Sequence, residues 1–332
     1  VKILITGAAG FIGSNLAKEL YQRNHQLVLI DNLEYGYLDN LDEYELQSKL
    51  IVFDIRSPIE QSIMKGVDVI FHFAGISSLP ECQANPTKAI DVNVNGTVNL
   101  LEAARKYNVK KFIFASTSAV YENNHETPFS EDQETSPDLI YSLTKKMSED
   151  IVKSYKLNYK MNVIICRFFN VYGANQDFRR KNPPFTSYIA KEAINSGELK
   201  LFNFQDVKRD YIYVSDLLEI LLELMIKSDD TENIIYNLCS GLSYSPSEII
   251  SILSRIINKD IKILEGKPEE FWMKYPELFG TNGFSYYRIE KEILKISIGS
   301  NAKIKALIGK DKFIKMEQGL EEIVKYQKHS SI

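Results

Sequence analysis

The first thirteen residues, VKILITGAAGFIG, run an apolar, β-branched stretch directly into three evenly spaced glycines, Gly7, Gly10 and Gly13. A helical pattern begins at once, with Leu16 and Leu20 on one face. Few folds turn a strand into a helix through such glycines. One glycine permits the tight turn, one lets the backbone approach a pyrophosphate, and one lets helix and strand pack closely. The N–H groups at the helix start, with Phe11 and Ile12 among them, are then free to hold the anion. The feature predicts a parallel α/β sheet carrying a dinucleotide over its first helix.

The rest of the first half fits that prediction. Strands are expected at 2–6, 27–31, 50–53, 67–73, 111–115 and 161–167, and helices at 12–23, 91–107 and 139–159. Short strands apolar on both faces, alternating with helices, belong to a doubly wound, Rossmann-type sheet covered on two sides. After about residue 170 the pattern loosens. A polar loop at 176–184 precedes a helix at 185–195, a short strand at 199–204 and a polar run at 205–210. A helix at 216–226, a strand at 235–238, a helix at 246–257, an aromatic stretch around 271–284 and a helix at 316–325 follow. No second glycine fingerprint appears. The expected division is a dinucleotide-binding domain with the catalytic residues at 1–170, and a smaller mixed α/β substrate lobe at 171–332, partly interleaved with it.

Composition narrows the partners. Forty Lys and Arg against 44 Asp and Glu give a net charge of −4 and no basic stripe, so nucleic acid is not an expected partner. Cys82, Cys166 and Cys239 form no metal or redox spacing and read as buried thiols in a reducing compartment. His25, His72, His125 and His329 are scattered, and no metal is expected. No apolar run reaches the roughly 18 residues of a membrane helix. The chain enters an expected core strand at once, and no signal peptide is expected. The expected setting is the cytoplasm, away from membranes.

The second expected strand ends in LVLID, which places Asp31 at its tip. A carboxylate there accepts both adenosine ribose hydroxyls and repels a 2′-phosphate, so the expected cofactor is NAD rather than NADP. Asn32 stands beside it. Asp54 closes the third strand, with Ile55 next, and reads either as a contact to the adenine edge or as a turn residue. The fourth strand ends HFAG, and Phe73, Ala74 and Gly75 leave room for ribose or phosphate. His72 reads as structural, since nothing acidic orients it.

The fifth strand runs into FASTSAVYEN, with hydroxyls at Ser116, Thr117, Ser118 and Tyr121 at the same sheet edge. Some twenty residues later comes YSLTK. Tyr141 and Lys145 lie i,i+4 and share a helix face. A nearby ammonium stabilises a phenolate and lowers the tyrosine pKa from about 10. Such a tyrosine can take a proton from an alcohol while hydride leaves the same carbon, with Thr117 or Ser118 sharing the reacting oxygen. A Y-x-x-x-K pair alone is usually a solvated helix face; its place behind a dinucleotide loop and a hydroxyl-rich strand end gives it chemistry.

This set resembles the extended short-chain dehydrogenase/reductase family, in its nucleotide-sugar epimerase and dehydratase branch, and is closest to UDP-sugar 4-epimerases. The pieces are TGAAGFIG at 6–13, Asp31, DVNVNGTVNLLEAA at 91–104, STSAVY at 116–121, YSLTK at 141–145, RFFNVYG at 167–173 and KRDYIYVSD at 208–216. The resemblance covers most of the chain. It implies Thr117, Tyr141 and Lys145 as catalytic residues and Asn93 as a structural or cofactor-supporting asparagine, with Ser116 also near the cofactor. It implies a nucleotide-diphosphate sugar held by Asn170 and Arg209, with Arg288 as a second clamp in an atypical setting and Ser118 on the sugar. Arg179, Arg180 and Lys181 read as solvated surface slightly ahead of a ligand role.

The family's dehydratases place an Asp-Glu pair directly after the catalytic threonine, and its decarboxylases a glutamate two residues after it. Here Ser118 and Ala119 fill those positions. Alanine cannot remove a C5 proton. What remains implies epimerisation at C4 through a transient 4-keto sugar. The alternatives are an oxidoreductase or 6-epimerase on a nucleotide-linked hexose or heptose, with a non-catalytic NAD sensor or scaffold least expected. Glu122–Asn124 replaces the glycine common after Tyr121, and PEEFWMKYPELFG at 268–280 is unlike an ordinary epimerase end. Family members usually dimerise through two helices, here 91–107 and 139–159, whose apolar positions fit a core equally well.

Overall fold

Strands apolar on both faces need cover on both, and a chain that alternates them with helices supplies it. The computed structural model describes residues 1–202, 207–227 and 234–330. It divides into two units: residues 1–123, 134–168 and 218–237 form the first, and 124–133, 169–217 and 238–332 the second. Each unit is drawn from three stretches of chain.

The first unit carries β1 (Lys2–Thr6), α1 (Phe11–Gln22), β2 (Gln26–Asp31), β3 (Leu50–Val52), α2 (Gln61–Met64) and β4 (Val69–His72). It continues with α3 (Leu79–Ala84), α4 (Pro86–Ile90), α5 (Gly96–Lys106), β5 (Lys111–Thr117), α6 (Ile140–Tyr159) and β6 (Val163–Phe168). Its seven-stranded sheet has the order β10-β6-β5-β4-β1-β2-β3, where β10 is Ile235–Leu238. The ladders from β3 to β6 are all parallel. Leu4, Ile30, Ile70, Phe112, Phe114, Val163 and Ile165 share one core with Leu100, Leu101 and Ala104 of α5 and Val152 of α6. The return of residues 218–237 to this unit has an electrostatic anchor. Buried Lys111, which opens β5, donates through Nζ to Met225 O at 2.7 Å and Leu224 O at 3.4 Å. These carbonyls lie in the last turn of α8 (Val214–Lys227), where a cation is favoured.

The second unit contains β7 (Asn170–Tyr172), α7 (Phe185–Asn195), β8 (Glu198–Leu201), β9 (Arg209–Tyr213), β11 (Ser243–Tyr244) and α9 (Pro246–Ile257). It ends with β12 (Lys262–Glu265), α10 (Tyr286–Ile293), α11 (Ala302–Ile308) and α12 (Met316–Ser330). Two small sheets, β11-β9-β7 and β12-β8, pack with α7, α9 and α12 around Ile189, Leu199, Ile249, Leu253, Leu320 and Val324. Helix α9 starts with Pro246 after a full capping box, Ser245 and Glu248 bonding each other's backbone.

Several expected boundaries move. The expected strand at 199–204 is β8, 198–201, and residues 203–206, shared by that strand and the polar run, lie outside the described residues. Residues 209 and 210 of the run open β9. The single helix expected at 91–107 is a wider π turn, Asp91–Asn95, leading into α5. Side chains cause that widening. Thr97 Oγ1 and Ser148 Oγ both donate to Asn93 O, at 2.6 and 2.9 Å. The atypical 268–280 segment is a small aromatic core: Trp272 stacks on Phe284 at 5.0 Å, Phe271 meets Tyr188 edge-on, and Trp272, Tyr275 and Leu278 are buried. It anchors the 176–184 loop, since Lys274 Nζ donates to Lys181 O and the Lys181 ammonium sits 4.0 Å from the Tyr275 ring centroid.

Candidate active site

In the first unit the carboxyl ends of β1, β2, β4 and β5 are brought to one sheet edge by the parallel ladders. The glycine loop leaves β1 at Gly7, whose φ of +67° an L side chain rarely adopts. A Cβ on Gly13 would lie 2.1 Å from Gly7 O, so α1 closes on the loop only with glycine there. Gly10 precedes α1 with no side-chain cap, which leaves the N–H groups of Phe11, Ile12 and Gly13 without helical partners. Asp31, buried, accepts Ala9 N at Oδ2 (3.0 Å) and Leu33 N at Oδ1 (2.8 Å). Burial raises its pKa and these backbone bonds oppose the rise. A carboxylate has about four acceptor sites, so these bonds do not exhaust its capacity for a ribose hydroxyl. These residues fit a dinucleotide: an uncapped helix start for its phosphates and a positioned carboxylate for its ribose.

Asn32 Nδ2 donates to Asp54 Oδ2 at 3.1 Å. Asp54 is gripped by the Arg56 guanidinium at 2.6 and 3.0 Å, which holds its carboxyl well below the usual range. Ile55 is a core residue, packed against Leu4 and α5. The end of β4 is set by a neutral histidine. Thr97 Oγ1, already donating to Asn93 O, accepts from His72 Nε2 at 3.0 Å. Nδ1 then accepts from Thr6 Oγ1 at 2.8 Å, and Thr6 Oγ1 accepts Ala74 N. Burial lowers the His72 pKa to about 3, with the Lys145 charge adding to the effect, so this chain of bonds stays intact near neutrality. Phe73 N donates to Thr6 O, and past Gly75 the Asn93 amide brackets Ile76, accepting its N–H at 2.8 Å and donating to its O at 3.1 Å. Asn93 Nδ2 also reaches Thr144 Oγ1 at 3.1 Å, linking the loop after β4 to α6.

Thr117 ends β5, and its Oγ1 accepts Ala119 N at 3.1 Å, leaving its own proton for another acceptor. Ser118 opens the short turn Ser118–Tyr121. Tyr141 lies in the first turn of α6 and packs with Ile76, Cys82 and Ala89. Four residues on, buried Lys145 donates to Ala115 O at 2.9 Å, and its ammonium lies 4.9 Å from the Phe114 ring centroid. Burial lowers its pKa to about 8; Cys82 and Glu149 pull the other way. The departure at Glu122 proves constructive. This buried carboxylate accepts both Asp138 N and Leu139 N at 3.1 Å through Oε2, seating the helix that carries Tyr141.

Sequence reasoning missed a network beneath these groups. Glu149, fully buried one turn after Lys145, takes Arg167 through Nε at 2.9 Å and Nη2 at 2.8 Å. Ser116 Oγ donates to the same carboxylate at 2.5 Å, so its hydroxyl is committed there. Arg167 Nη1 donates to Tyr121 OH, which donates to Asn237 Oδ1 of β10. Lys145 and Glu149 lie i,i+4, and Ser116, Tyr121 and Arg167 stand in quoted motifs, but no local spacing pairs Glu149 with Arg167.

The second unit holds the other expected residues. Asn170 Nδ2 donates to Asp210 O at 2.7 Å. Arg209 Nη2 donates to Glu292 O at 2.9 Å and Ile293 O at 3.4 Å at the end of α10. Arg288 Nη1 lies 3.8 Å from Glu292 Oε2, so Glu292 ties the two arginines into one cluster. In the polar loop, Gln176 is buried and its Oε1 accepts from both Thr186 and Ser187. Among the described residues no group of three His, Cys, Asp or Glu side chains is placed to hold a metal, and no helix is long and apolar enough to cross a membrane.

A Rossmann sheet whose edge carries a glycine loop, an aspartate at the tip of β2 and a Thr-Tyr-Lys set defines the class of short-chain, dinucleotide-dependent enzymes. The profile of the NAD dependent epimerase/dehydratase family matches residues 3–239. The UDP-glucose 4-epimerase of Bacillus subtilis is 31% identical over 283 residues, covering 78% of this chain and 83% of that one. The UDP-glucose 4-epimerase of Thermotoga maritima, solved with UDP-glucose, superimposes with a TM-score of 0.84 at 25% identity, covering 100% of both chains. The UDP-N-acetylglucosamine 4-epimerase of Methanobrevibacter ruminantium gives a TM-score of 0.86 at 26% identity, covering 99% of this chain and 98% of that one. The chain belongs to the NAD dependent epimerase/dehydratase family, and its cofactor is NAD.

Replacing Asp31 by Ala is expected to weaken NAD binding roughly 10- to 100-fold, the worth of hydrogen bonds to a charged group. Titration calorimetry with NAD and NADP checks it, since the preference for NAD should shrink in the same variant.

Proposed function

We propose that the protein epimerises a UDP-linked hexose at C4 through a transient 4-keto sugar. The observation that carries the reading is the acid–base inventory at the end of β5: Thr117, Tyr141 and Lys145, with Ala119 where an acid would be needed for elimination. Tyr141 takes the C4 hydroxyl proton, and the Lys145 charge, held against Ala115 O, favours the resulting phenolate. Thr117 donates its remaining proton to the same sugar oxygen, and Ser118 contacts the sugar. NAD, which Gly7, Gly10, Gly13 and Asp31 would hold, would supply the hydride acceptor and donor for C4. Tyr141 then gives its proton back, so no net redox change results. The 4-epimerases among the relatives support the C4 assignment.

The first unit, in this reading, binds NAD and performs the chemistry through Gly7, Gly10, Gly13, Asp31, Asn93 and the catalytic set. The second grips the nucleotide diphosphate through Arg209, Arg288 and the second amide proton of Asn170, since a guanidinium fork matches phosphate oxygens. NAD-loaded enzyme incubated with UDP-glucose, UDP-N-acetylglucosamine and UDP-glucuronic acid should yield a C4 epimer with no rise in NADH absorbance. Stoichiometric NADH with a keto product would make it a dehydrogenase, and no change in any substrate would refute the reading.

A homodimer formed through α6 belongs to the same proposal. Leu143 and Met147 stand one turn apart on α6, 37% and 39% exposed, an apolar stripe for a second copy. Met147→Glu is expected to convert a dimer to a monomer in analytical ultracentrifugation. The three cysteines are all buried and form no disulfide, which supports a reducing, cytoplasmic setting.

A further inference from the structure

The three residues proposed for the diphosphate converge on a fourth, Asp210, which is fully buried. Arg209 precedes it on β9. Asn170 Nδ2 donates to its main-chain oxygen at 2.7 Å. Arg288 lies on α10, which ends at Ile293. Four residues on, Ser297 O accepts Asp210 N at 2.7 Å, and Ser297 N donates to Lys208 O at 3.0 Å. The Asp210 carboxylate completes the junction. Its Oδ1 accepts Ser240 N at 3.0 Å, its Oδ2 accepts Gly241 N at 2.9 Å, and the Gly299 backbone bonds it as well. The approach at 299 is close, since a Cβ on Gly299 would lie 2.6 Å from Cys239 Sγ. One side chain therefore joins β9 to the turn at 240–241 and to the stretch that follows α10. Only a group that accepts on both oxygens can do so, because an amide would turn its NH2 toward a main-chain N–H.

We propose that Asp210 is the positioning residue of the nucleotide-diphosphate site, holding Asn170, Arg209 and the helix of Arg288 in the arrangement that grips the diphosphate. The inference rests on the reading that those three residues hold that group. Successive strand residues face opposite sides, so the carboxylate acts through the backbone while Arg209 turns the other way, to the α10 carbonyls. A proton on either oxygen removes an acceptor and loosens the junction. Burial raises the Asp210 pKa to about 6, against the bonds from Ser240, Gly241 and Gly299. Beside it, burial and then the charges of Asp210 and Glu131 keep the Cys239 thiol neutral, with Lys305 of α11 opposing. On β9's approach, Lys208 is directed to Glu248 Oε1 at 3.4 Å. The diphosphate selects the ionised form, so the Asp210 pKa is lower in the complex than in the free protein. Affinity is then full above pH 6 and falls as pH drops through it, and binding in that range releases a proton.

The test is calorimetry of UDP-glucose and UDP-N-acetylglucosamine with NAD-loaded protein from about pH 5 to about pH 8, in buffers of different ionisation enthalpy. The doubly esterified diphosphate of these ligands keeps its charge across that range. Wild type should release a proton on binding at the acid end, and its affinity should fall by up to about tenfold per unit below pH 6. Asp210→Asn should bind roughly tenfold more weakly at the alkaline end, the low end for a hydrogen bond to a charged group. Its affinity should not change with pH through 6. Its KM should rise by the same factor, while kcat and NAD affinity stay near wild type. Wild-type affinity that is flat through pH 6 overturns the proposal whether or not the variant folds. So does proton uptake, the sign expected if the diphosphate acted directly on the carboxylate. Asp210→Asn binding as tightly as wild type also overturns it. A variant that loses NAD and UDP-sugar affinity together makes Asp210 a residue of the fold alone and overturns it too. Failure of wild type to bind either UDP-sugar refutes the functional reading and this inference together, whereas normal binding with an indifferent Asp210 refutes the inference alone.

Discussion

Tyr141→Phe is expected to lower kcat by about 10³-fold, within the 10²- to 10⁴-fold range of a positioned acid–base group, and to leave NAD affinity intact. The change removes one oxygen and keeps the ring that packs with Ile76, Cys82 and Ala89. Helix α6 keeps its two anchors, the Glu122 carboxylate on Asp138 N and Leu139 N, and the Asn93 amide on Thr144. Lys145 keeps its bond to Ala115 O. The variant should therefore melt like wild type and titrate NAD normally. Single-turnover mixing with a UDP-hexose separates chemistry from binding. Turnover at the wild-type rate would remove Tyr141 from the mechanism, and with it the proton path.

Glu149→Ala should destabilise the protein by about 3–5 kcal/mol, because it strands a buried guanidinium. Arg167 is 2% exposed and Glu149 not at all, so water cannot replace the lost carboxylate. Ser116 loses its acceptor in the same step, and Lys145 loses the one carboxylate that favours its charge. Urea unfolding measures the loss as a lower midpoint at an unchanged slope. The double variant Glu149→Leu/Arg167→Met should recover most of it, since an apolar pair of similar volume avoids the desolvation that the ion pair only offsets. A single variant as stable as wild type would show that the pair contributes nothing.

The two units differ in how openly their residues announce themselves. Parallel-sheet strands are short apolar runs, so β1, β2, β5 and β6 could be found from composition within a residue or two. The glycine loop, Asp31 and the Tyr141–Lys145 pair carry local spacing rules and needed no tertiary information. Asn93 stands out in the sequence, but its π turn does not, because the hydroxyls at Asn93 O come from Thr97 and from Ser148, the latter 55 residues away. Glu149 and Arg167 looked like ordinary helix and strand residues; only their meeting makes them special. In the second unit β9 was hidden in a polar run, since Arg209 and Asp210 are charged strand residues with partners beyond the strand, Arg209 on α10 carbonyls and Asp210 on Ser240 and Gly241. Asp210 shows the result: burial raises its pKa to about 6 against the pull of those bonds. The aromatic segment at 268–280 looked anomalous because a satellite core with no periodicity leaves no pattern to read.

The order of strands in the seven-stranded sheet has a bearing on synthesis. β6 ends at Phe168, yet its outer neighbour β10 begins only at Ile235. At ~5–20 residues per second the ribosome takes on the order of several seconds to make what lies between, and through that interval β6 presents an unpaired edge. A chain cut short before Ile235 keeps that edge permanently, and fragments of the first unit should associate edge to edge instead of folding as soluble halves. Production of this protein should therefore depend on the pace of translation and on chaperone cover across one stretch of message, the stretch that encodes residues 169–234.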